Sequence, residues 1–329
     1  MKKLCAVLLA VILVFSGCGT GPEQYNATYL DVFDTVTTII GFGNAAEAQK
    51  LHAELQRYHR LFDIYNDYEG INNLKTVNDQ AGIAPVAVDR AIIELLLDCR
   101  EYYDLTGGKV NVAMGSVLRL WHEARTAGLA EPEKACLPDR DTLAAAALHT
   151  DIGGVIIDEA ASTVYLSDSE MSLDVGAIAK GWACRRAAEN APEGMLLSVG
   201  GNVCATGSKN GKPWVIGIQN PDGGGYLQTL HLRGGAVVTS GDYQRAYRVD
   251  GEAYHHIIDP ETQMPSSYWR SVTVVCEDPA LADALSTALF LLPLEEGEAL
   301  AESCGAEALW MDKSGKIHMT EGLERKIAS

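Results

Sequence analysis

The sequence predicts an α+β fold, a single elaborate domain with a largely antiparallel sheet flanked by helices. Three observations lead there. Short strand-like apolar runs crowd the second half and are joined by Gly, Asp and Asn turns, which suits hairpins better than parallel crossovers. Two long segments of helical period lie in the first half. No Ser/Pro/Gly-rich linker and no internal repeat divides the 329 residues, so one large domain fits better than two.

At the N-terminus, Lys2 and Lys3 precede an apolar run from Leu4 to Phe15 that ends in Ser16-Gly17-Cys18. The run is too short to span a bilayer as a mature helix and reads as a signal peptide over residues 1–17. Small residues directly before a cysteine resemble the bacterial lipoprotein cleavage box, which would leave Cys18 lipidated, residues 18–28 as a tether and 29–329 as the folded domain. Leu51, Leu55, Tyr58 and Phe62 fall at helical spacing within Asn44–Phe62, and Val88–Leu105 repeats the pattern until Gly107-Gly108 stops it. Strands are expected over Val155–Ile157, Val164–Leu166, Leu196–Val199, Trp214–Ile218, Leu227–Leu232, Ala236–Thr239 and Ser271–Cys276. A further strand ends at Asp174 and passes through a small-residue turn into a helix that runs through Trp182 to Ala188. Asp278 as N-cap and Pro279 at the first helical position start another helix, with Leu281, Leu285, Ala288 and Leu289 behind them. Ala308–Met311 and Lys316–Met319 form a last hairpin around Asp312–Gly315.

Composition narrows the partners. There are 44 Asp+Glu against 26 Lys+Arg, a net charge of −18 that becomes about −20 once Lys2 and Lys3 leave with the signal. No basic stripe is present, which excludes nucleic acid as a partner. An anionic nucleotide can still bind if a metal ion and backbone amides supply the local positive charge. The eight cysteines form no CxxC pair and no zinc-type cluster; most sit in apolar patterns as small core residues, and no bridge is assigned.

The chemistry-bearing residues follow from spacing. Asp283 and Thr287 stand four apart on an otherwise apolar helix, so their oxygens point the same way, as a hard cation such as Mg²⁺ requires; a locally bonded carboxylate and a core hydroxyl would give the same pattern. In Met171-Ser-Leu-Asp-Val-Gly-Ala-Ile-Ala-Lys-Gly181, the free amides of a helix start attract anions and Lys180 adds a mobile positive charge, while Gly176 and Ala177 leave the main chain open to a ligand; a packing turn is the plainer reading. Ser198-Val-Gly-Gly-Asn-Val203 reads as a hairpin turn. After Thr239-Ser-Gly-Asp-Tyr243 comes Tyr254-His-His-Ile-Ile-Asp-Pro260. Adjacent histidines on a strand face opposite ways, so only one of His255 and His256 can address a site. That histidine could act as acid, base or charge stabiliser.

Together these blocks, in this order, resemble the FAD:protein FMN transferase family, the ApbE-type flavin transferases, from about Tyr29 to Leu292. Phe33-Asp34-Thr35, Phe62 to Tyr65, Gly108 to Asn111 and Gly115 to Trp121 are similar to further family blocks. The resemblance implies Asp283 and Thr287 as side-chain Mg²⁺ ligands and Ala177 as a main-chain ligand. It implies FAD contacts at Phe33, Tyr65, Lys109, Val110, Asn111, Asp174, Lys180 and Ile257, and a catalytic histidine at His256. Four positions depart from the common pattern: Phe33 stands where many members have Met, Asn111 where many have Asp, Ser286 where some have an acidic ligand, and Gln263 where Gly is common. The implied reaction transfers FMN from FAD to a Thr/Ser hydroxyl of an acceptor flavoprotein and releases AMP. The implied acceptor belongs to an extracytoplasmic electron-transfer system, which suits a lipid-anchored protein on the outer face of the cell membrane. Two alternatives stand beside it: a metal-dependent FAD pyrophosphatase, with water in place of the acceptor, and a non-catalytic flavin-binding lipoprotein.

Overall fold

A computed structural model describes residues 22–325 and 327. The signal peptide and Cys18 lie outside the described residues. The strands are β1 (Gln24–Val32), β2 (Thr35–Phe42), β3 (Val86–Ala87), β4 (Val155–Asp158), β5 (Thr163–Leu166), β6 (Leu196–Val199), β7 (Asn202–Ala205), β8 (Trp214–Gln219), β9 (Tyr226–Leu232), β10 (Gly235–Gly241), β11 (Tyr247–Val249), β12 (Glu252–Tyr254), β13 (Trp269–Cys276), β14 (Glu307–Asp312) and β15 (Ile317–Met319). The helices are α1 (Ala46–Phe62), α2 (Leu74–Asp79), α3 (Arg90–Leu105), α4 (Gly115–Ala130), α5 (Arg140–Ala147), α6 (Ala179–Glu189), α7 (Pro279–Leu291), α8 (Leu294–Ser303) and α9 (Glu321–Glu324).

One sheet organises the molecule, in the order β1-β2-β6-β7-β10-β13-β14-β15, and each of its neighbouring pairs is antiparallel. Its strands alternate between two apolar faces, as pleating demands. Ala236, Val238, Val272, Val274 and Trp310 pack against α7, whose Leu285, Leu289 and Phe290 are fully buried. Val237, Val275 and Leu309, one residue out of phase, face the β8–β9 hairpin through Trp214, Ile216, Ile218 and Leu230. The result is three layers, with helices on one face and a two-stranded ribbon on the other. Because β10 and β13 are covered on both faces, Ala236–Val238 and Ser271–Val275 are buried at consecutive positions instead of alternating.

The long predicted helices are present. α1 is preceded by Asn44, whose Oδ1 accepts from the Ala46 amide, and α3 is capped by Asp89, which accepts from the Ala91 amide. The antiparallel reading also holds, and the described cysteines are all free thiols. Three expectations need correction. The tether does not extend to residue 28: Gln24 to Tyr29 already pair with β2, so the fold begins within the segment assigned to it. No strand leads to Asp174, because only Ser172 makes an isolated bridge, to Met114; the neighbouring backbone groups are met by segments distant in sequence, Val112 O for the Asp174 amide and the Asn78 side chain for Leu173. His255 and His256 lie just past the end of β12, in a loop.

Candidate functional site

The site begins where α6 crosses α7. Asp278 caps α7 by accepting from the Ala280 amide. One turn in, Asp283 points at the first turn of α6. Its Oδ2 accepts from the Gly181 amide at 2.8 Å and from Asn202 Nδ2 at 3.3 Å, and Lys180 Nζ stands 3.8 Å away. Only glycine fits at 181: a Cβ there would lie 2.3 Å from Pro279 O and 2.5 Å from the Asp283 Cβ. Burial pushes the Asp283 carboxyl above its ordinary range, opposed by Lys180 and the two hydrogen bonds. Lys180 also donates to Gly176 O at 3.1 Å, inside the turn that carries Ala177. Thr287, one turn further along the same face of α7, is half-buried and its hydroxyl makes no hydrogen bond among the described residues. Ser286 instead turns inward, donating to Asp283 O and sharing a hydrogen bond of 2.9 Å with Ser240.

A hard divalent cation fits this corner. The donors that α7 and the 176–177 turn offer are all oxygens, and a nearly buried carboxylate whose ion pair with Lys180 is a loose 3.8 Å can take further positive charge. Among the described residues no group of three or more His, Cys, Asp or Glu could hold a metal, so an ion here would complete its shell with water and ligand phosphate.

Beside this corner lies a cleft of about 400 Å³ lined in part by Asp34, Tyr65, His122, Arg125, Tyr243 and Arg245. Tyr65 is held by the loop below it: Asp63 accepts from the amides of Tyr65 and Asn66, from the Asn66 side chain and from the Tyr68 hydroxyl. Its ring stacks on His122 with centroids 5.1 Å apart, and burial together with the charge of Asp174 pushes its hydroxyl up to about 12. Asp174 turns back to accept from the Gly176 amide. Phe33 and Asp34 form the turn between β1 and β2 with φ of 52° and 51°, a left-handed pair that non-glycine residues adopt at a cost of about 1–2 kcal/mol each. The Phe33 amide donates to His59 Nδ1 at 3.2 Å.

The two histidines separate as expected, though in a loop. His255 is buried, with Nε2 bonded to Ser266 O and Nδ1 accepting from the Ile257 amide, and its ring packs edge-on against Phe290. Its role is structural. His256 has a buried Nδ1 with no hydrogen-bond partner among the described residues. Burial, then the charges of Arg245, His255, Arg125 and Lys180, push its imidazole down to about 3, so it is neutral at physiological pH.

Among the residues singled out in the sequence, Asp283, Asn202, Lys180 and Gly181 meet directly, while the charge of Asp174 reaches Tyr65. Ile257 is buried against α7 and the sheet. The side chains of the 109–111 segment are otherwise engaged. Lys109 pairs with Asp259 at 3.3 Å and Glu261 at 2.7 Å, Val110 is buried, and Asn111 bonds Thr150 O and the Ala113 amide. Any ligand contact from Lys109 or Asn111 must displace a bond or use the main chain. Gln263, at the position where glycine is common, has φ of 57°, which explains that preference. His122, Arg125 and Arg245 were not singled out from the sequence. The His-x-x-Arg spacing on α4, which puts both on one face, is the only signal they leave.

A three-layer α+β frame with an oxygen-lined corner beside an arginine-bearing cleft defines a protein with a built site for an anionic ligand. Residues 28–310 match the ApbE family. A FAD:protein FMN transferase of Treponema pallidum is 31% identical, covering 99% of this chain and 97% of that one, and one of Klebsiella pneumoniae is 32% identical over 79% and 83%. The crystal structure of the ApbE protein of Thermotoga maritima superposes with a TM-score of 0.84 at 29% identity, covering 93% of this chain and all of the other. The flavin transferase ApbE of Vibrio cholerae gives 0.78 at 25%, covering 93% and 99%. The chain belongs to the ApbE family.

Proposed function

We propose that the protein is an FAD:protein FMN transferase. It takes FAD as substrate and moves FMN to a Thr or Ser hydroxyl of an acceptor flavoprotein. The hydroxyl oxygen forms a bond to the flavin-side phosphorus as the bond to the AMP phosphate breaks; the hydroxyl loses its proton and AMP leaves. The observation that carries this reading is Asp283, a buried carboxylate set by Gly181 and Asn202 beside a basic cleft, in a chain similar along its whole length to proteins of that name.

Asp283, Thr287 and the Ala177 carbonyl would hold Mg²⁺, which when bound neutralises charge on the pyrophosphate. Lys180 supplies a second positive charge at the same corner. Tyr65 offers an aromatic face at the cleft, and the strained turn places Asp34 on its wall. His256, neutral and without a partner at Nδ1, can accept a proton, and anion binding near Arg125, Arg245 and Lys180 would offset the charges that hold its pKa down. The signal and Cys18 suit a lipid anchor that presents the enzyme to extracytoplasmic acceptors.

The test is incubation of the mature protein with FAD, Mg²⁺ and an acceptor bearing an exposed threonine, followed by intact-mass measurement and AMP quantification. An acceptor mass gain equal to FMN, abolished by EDTA and by Asp283→Ala, is the expected result. AMP and free FMN without mass gain would make it a pyrophosphatase. FAD bound with neither product would make it a flavin carrier.

A further inference from the structure

Arg125 and Arg245 have no assigned role, and both line the cleft. Arg125 is half-buried on α4; Arg245 follows β10 and is exposed at the rim. Acidic residues outnumber basic ones 44 to 26, yet neither guanidinium has an ion-pair partner among the described residues. Arg185, by contrast, is held by both Asp98 and Asp278. Among the described residues the one polar side-chain contact of Arg125 is from Nη2 to His122 Nδ1 at 3.0 Å, so the imidazole nitrogen accepts. Burial and the neighbouring Arg245 push the Arg125 guanidinium below its ordinary range, and Arg125 with burial does the same to His122.

Two unpaired cations close enough to repel one another cost stability in the empty protein, and a multiply charged anion between them would offset that cost. Asp34 lines the same cleft and the charge of Asp174 reaches Arg125, but neither forms an ion pair with either arginine. The charges of both arginines and of Lys180 also converge on His256, whose Nδ1 has no partner. The space between them, about 400 Å³ with Tyr65 and Tyr243 on its walls, has room for a phosphorylated fragment carrying a planar ring.

We propose that Arg125 and Arg245 clamp phosphoryl oxygens of the flavin dinucleotide, forming a second cationic arm of the site besides Lys180 at the Asp283 corner. This rests on the transferase reading. The clamp holds the phosphoryl group while the acceptor oxygen bonds to phosphorus and the AMP side departs. An acidic stretch of the acceptor protein is the other anion that could meet two arginines. Half-burial of Arg125 beside His256 favours the phosphates, which enter the cleft, over side chains that meet its rim.

The experiment compares wild type, Arg125→Gln and Arg245→Gln, with Arg233→Gln as a surface control. Thermal-shift titration with inorganic pyrophosphate is followed by AMP release from FAD, with and without acceptor. Pyrophosphate should raise the wild-type Tm, and the shift should vanish in both cleft variants. Without ligand, Arg245→Gln should melt no lower than wild type. kcat/KM for FAD should fall roughly 10- to 100-fold with or without acceptor, the loss of one charge-assisted hydrogen bond, while Arg233→Gln changes nothing. Unchanged pyrophosphate shifts overturn the clamp. A rise only in KM for the acceptor, with AMP release from FAD alone intact, overturns it in favour of acceptor recognition. If wild type never releases AMP, the transferase reading fails, and the pyrophosphate titration still decides whether the arginines bind phosphate.

Discussion

Gly181→Ala sets helix propensity against tertiary packing, and the structure decides the sign. Gly181 lies in the first turn of α6, where alanine would ordinarily help a helix by up to about 1 kcal/mol. The added methyl, however, would sit 2.3 Å from Pro279 O, about 1 Å inside ordinary contact, and 2.5 Å from the Asp283 Cβ. Neither atom can rotate away, since one is backbone and the other is the root of a buried side chain. Separating α6 from α7 costs about 1–3 kcal/mol as overpacking. It also lengthens the 2.8 Å bond from the Gly181 amide to Asp283. The net expectation is a loss of about 1–2 kcal/mol, a Tm lower by roughly 2–8 °C at about 2–4 °C per kcal/mol. Displacing the carboxylate by a fraction of an ångström to 1 Å should lower FMN transfer up to roughly 100-fold. Differential scanning calorimetry and the intact-mass transfer assay read the two effects. A Tm at or above wild type with full activity would show that the helices do not approach this closely and refute the reasoning.

Other outcomes follow from neighbouring contacts. Asp283→Ala should abolish EDTA-sensitive transfer, whereas Asp141→Ala on exposed α5 should leave it unchanged; equal activity in both would remove the cation from the mechanism. Replacing Asp34 by Gly relieves one left-handed non-glycine residue without touching the packed Phe33 ring and should stabilise the fold by up to about 1 kcal/mol, and a lower Tm would contradict the strain argument. Burial raises the Asp63 carboxyl, but hydrogen bonds from Asn66, Tyr65 and Tyr68 outweigh it and hold the group below its ordinary range. Its contribution is therefore present above the ordinary carboxyl pKa of about 4 and is lost as pH falls through the lowered folded value. Asp63→Asn should flatten the decline in Tm between pH 6 and pH 3, and an unchanged slope would rule this carboxyl out as a source of it. Trp182→Ala removes a fully buried ring that meets Tyr58 and Phe62 edge-on and should cost about 3–5 kcal/mol, measured by urea unfolding.

Local chemistry determined much of this protein on its own. Asp278-Pro279 before an apolar series fixes the start of α7, Asp89 and Gly107-Gly108 bracket α3, and the turn residues between short apolar runs made the sheet antiparallel. The α7 face shared by Asp283 and Thr287 was equally legible, because i and i+4 share a face in any helix. What tertiary structure decided are matters of distance along the chain. The partners of Asp283 are Gly181 and Asn202, 102 and 81 residues away, so no local pattern could show that the carboxylate is buried between them. Pairing with β2 drew Gln24 to Tyr29 into the sheet, although nothing in that stretch alone distinguishes it from a tether. The segment before Asp174 looked like a strand because its apolar residues are buried, but loop carbonyls and Asn78 satisfy its backbone instead of a neighbouring strand. Arg125 and Arg245 stand 120 positions apart on separate elements, and an unpaired charge becomes visible only when every possible partner has been placed in space.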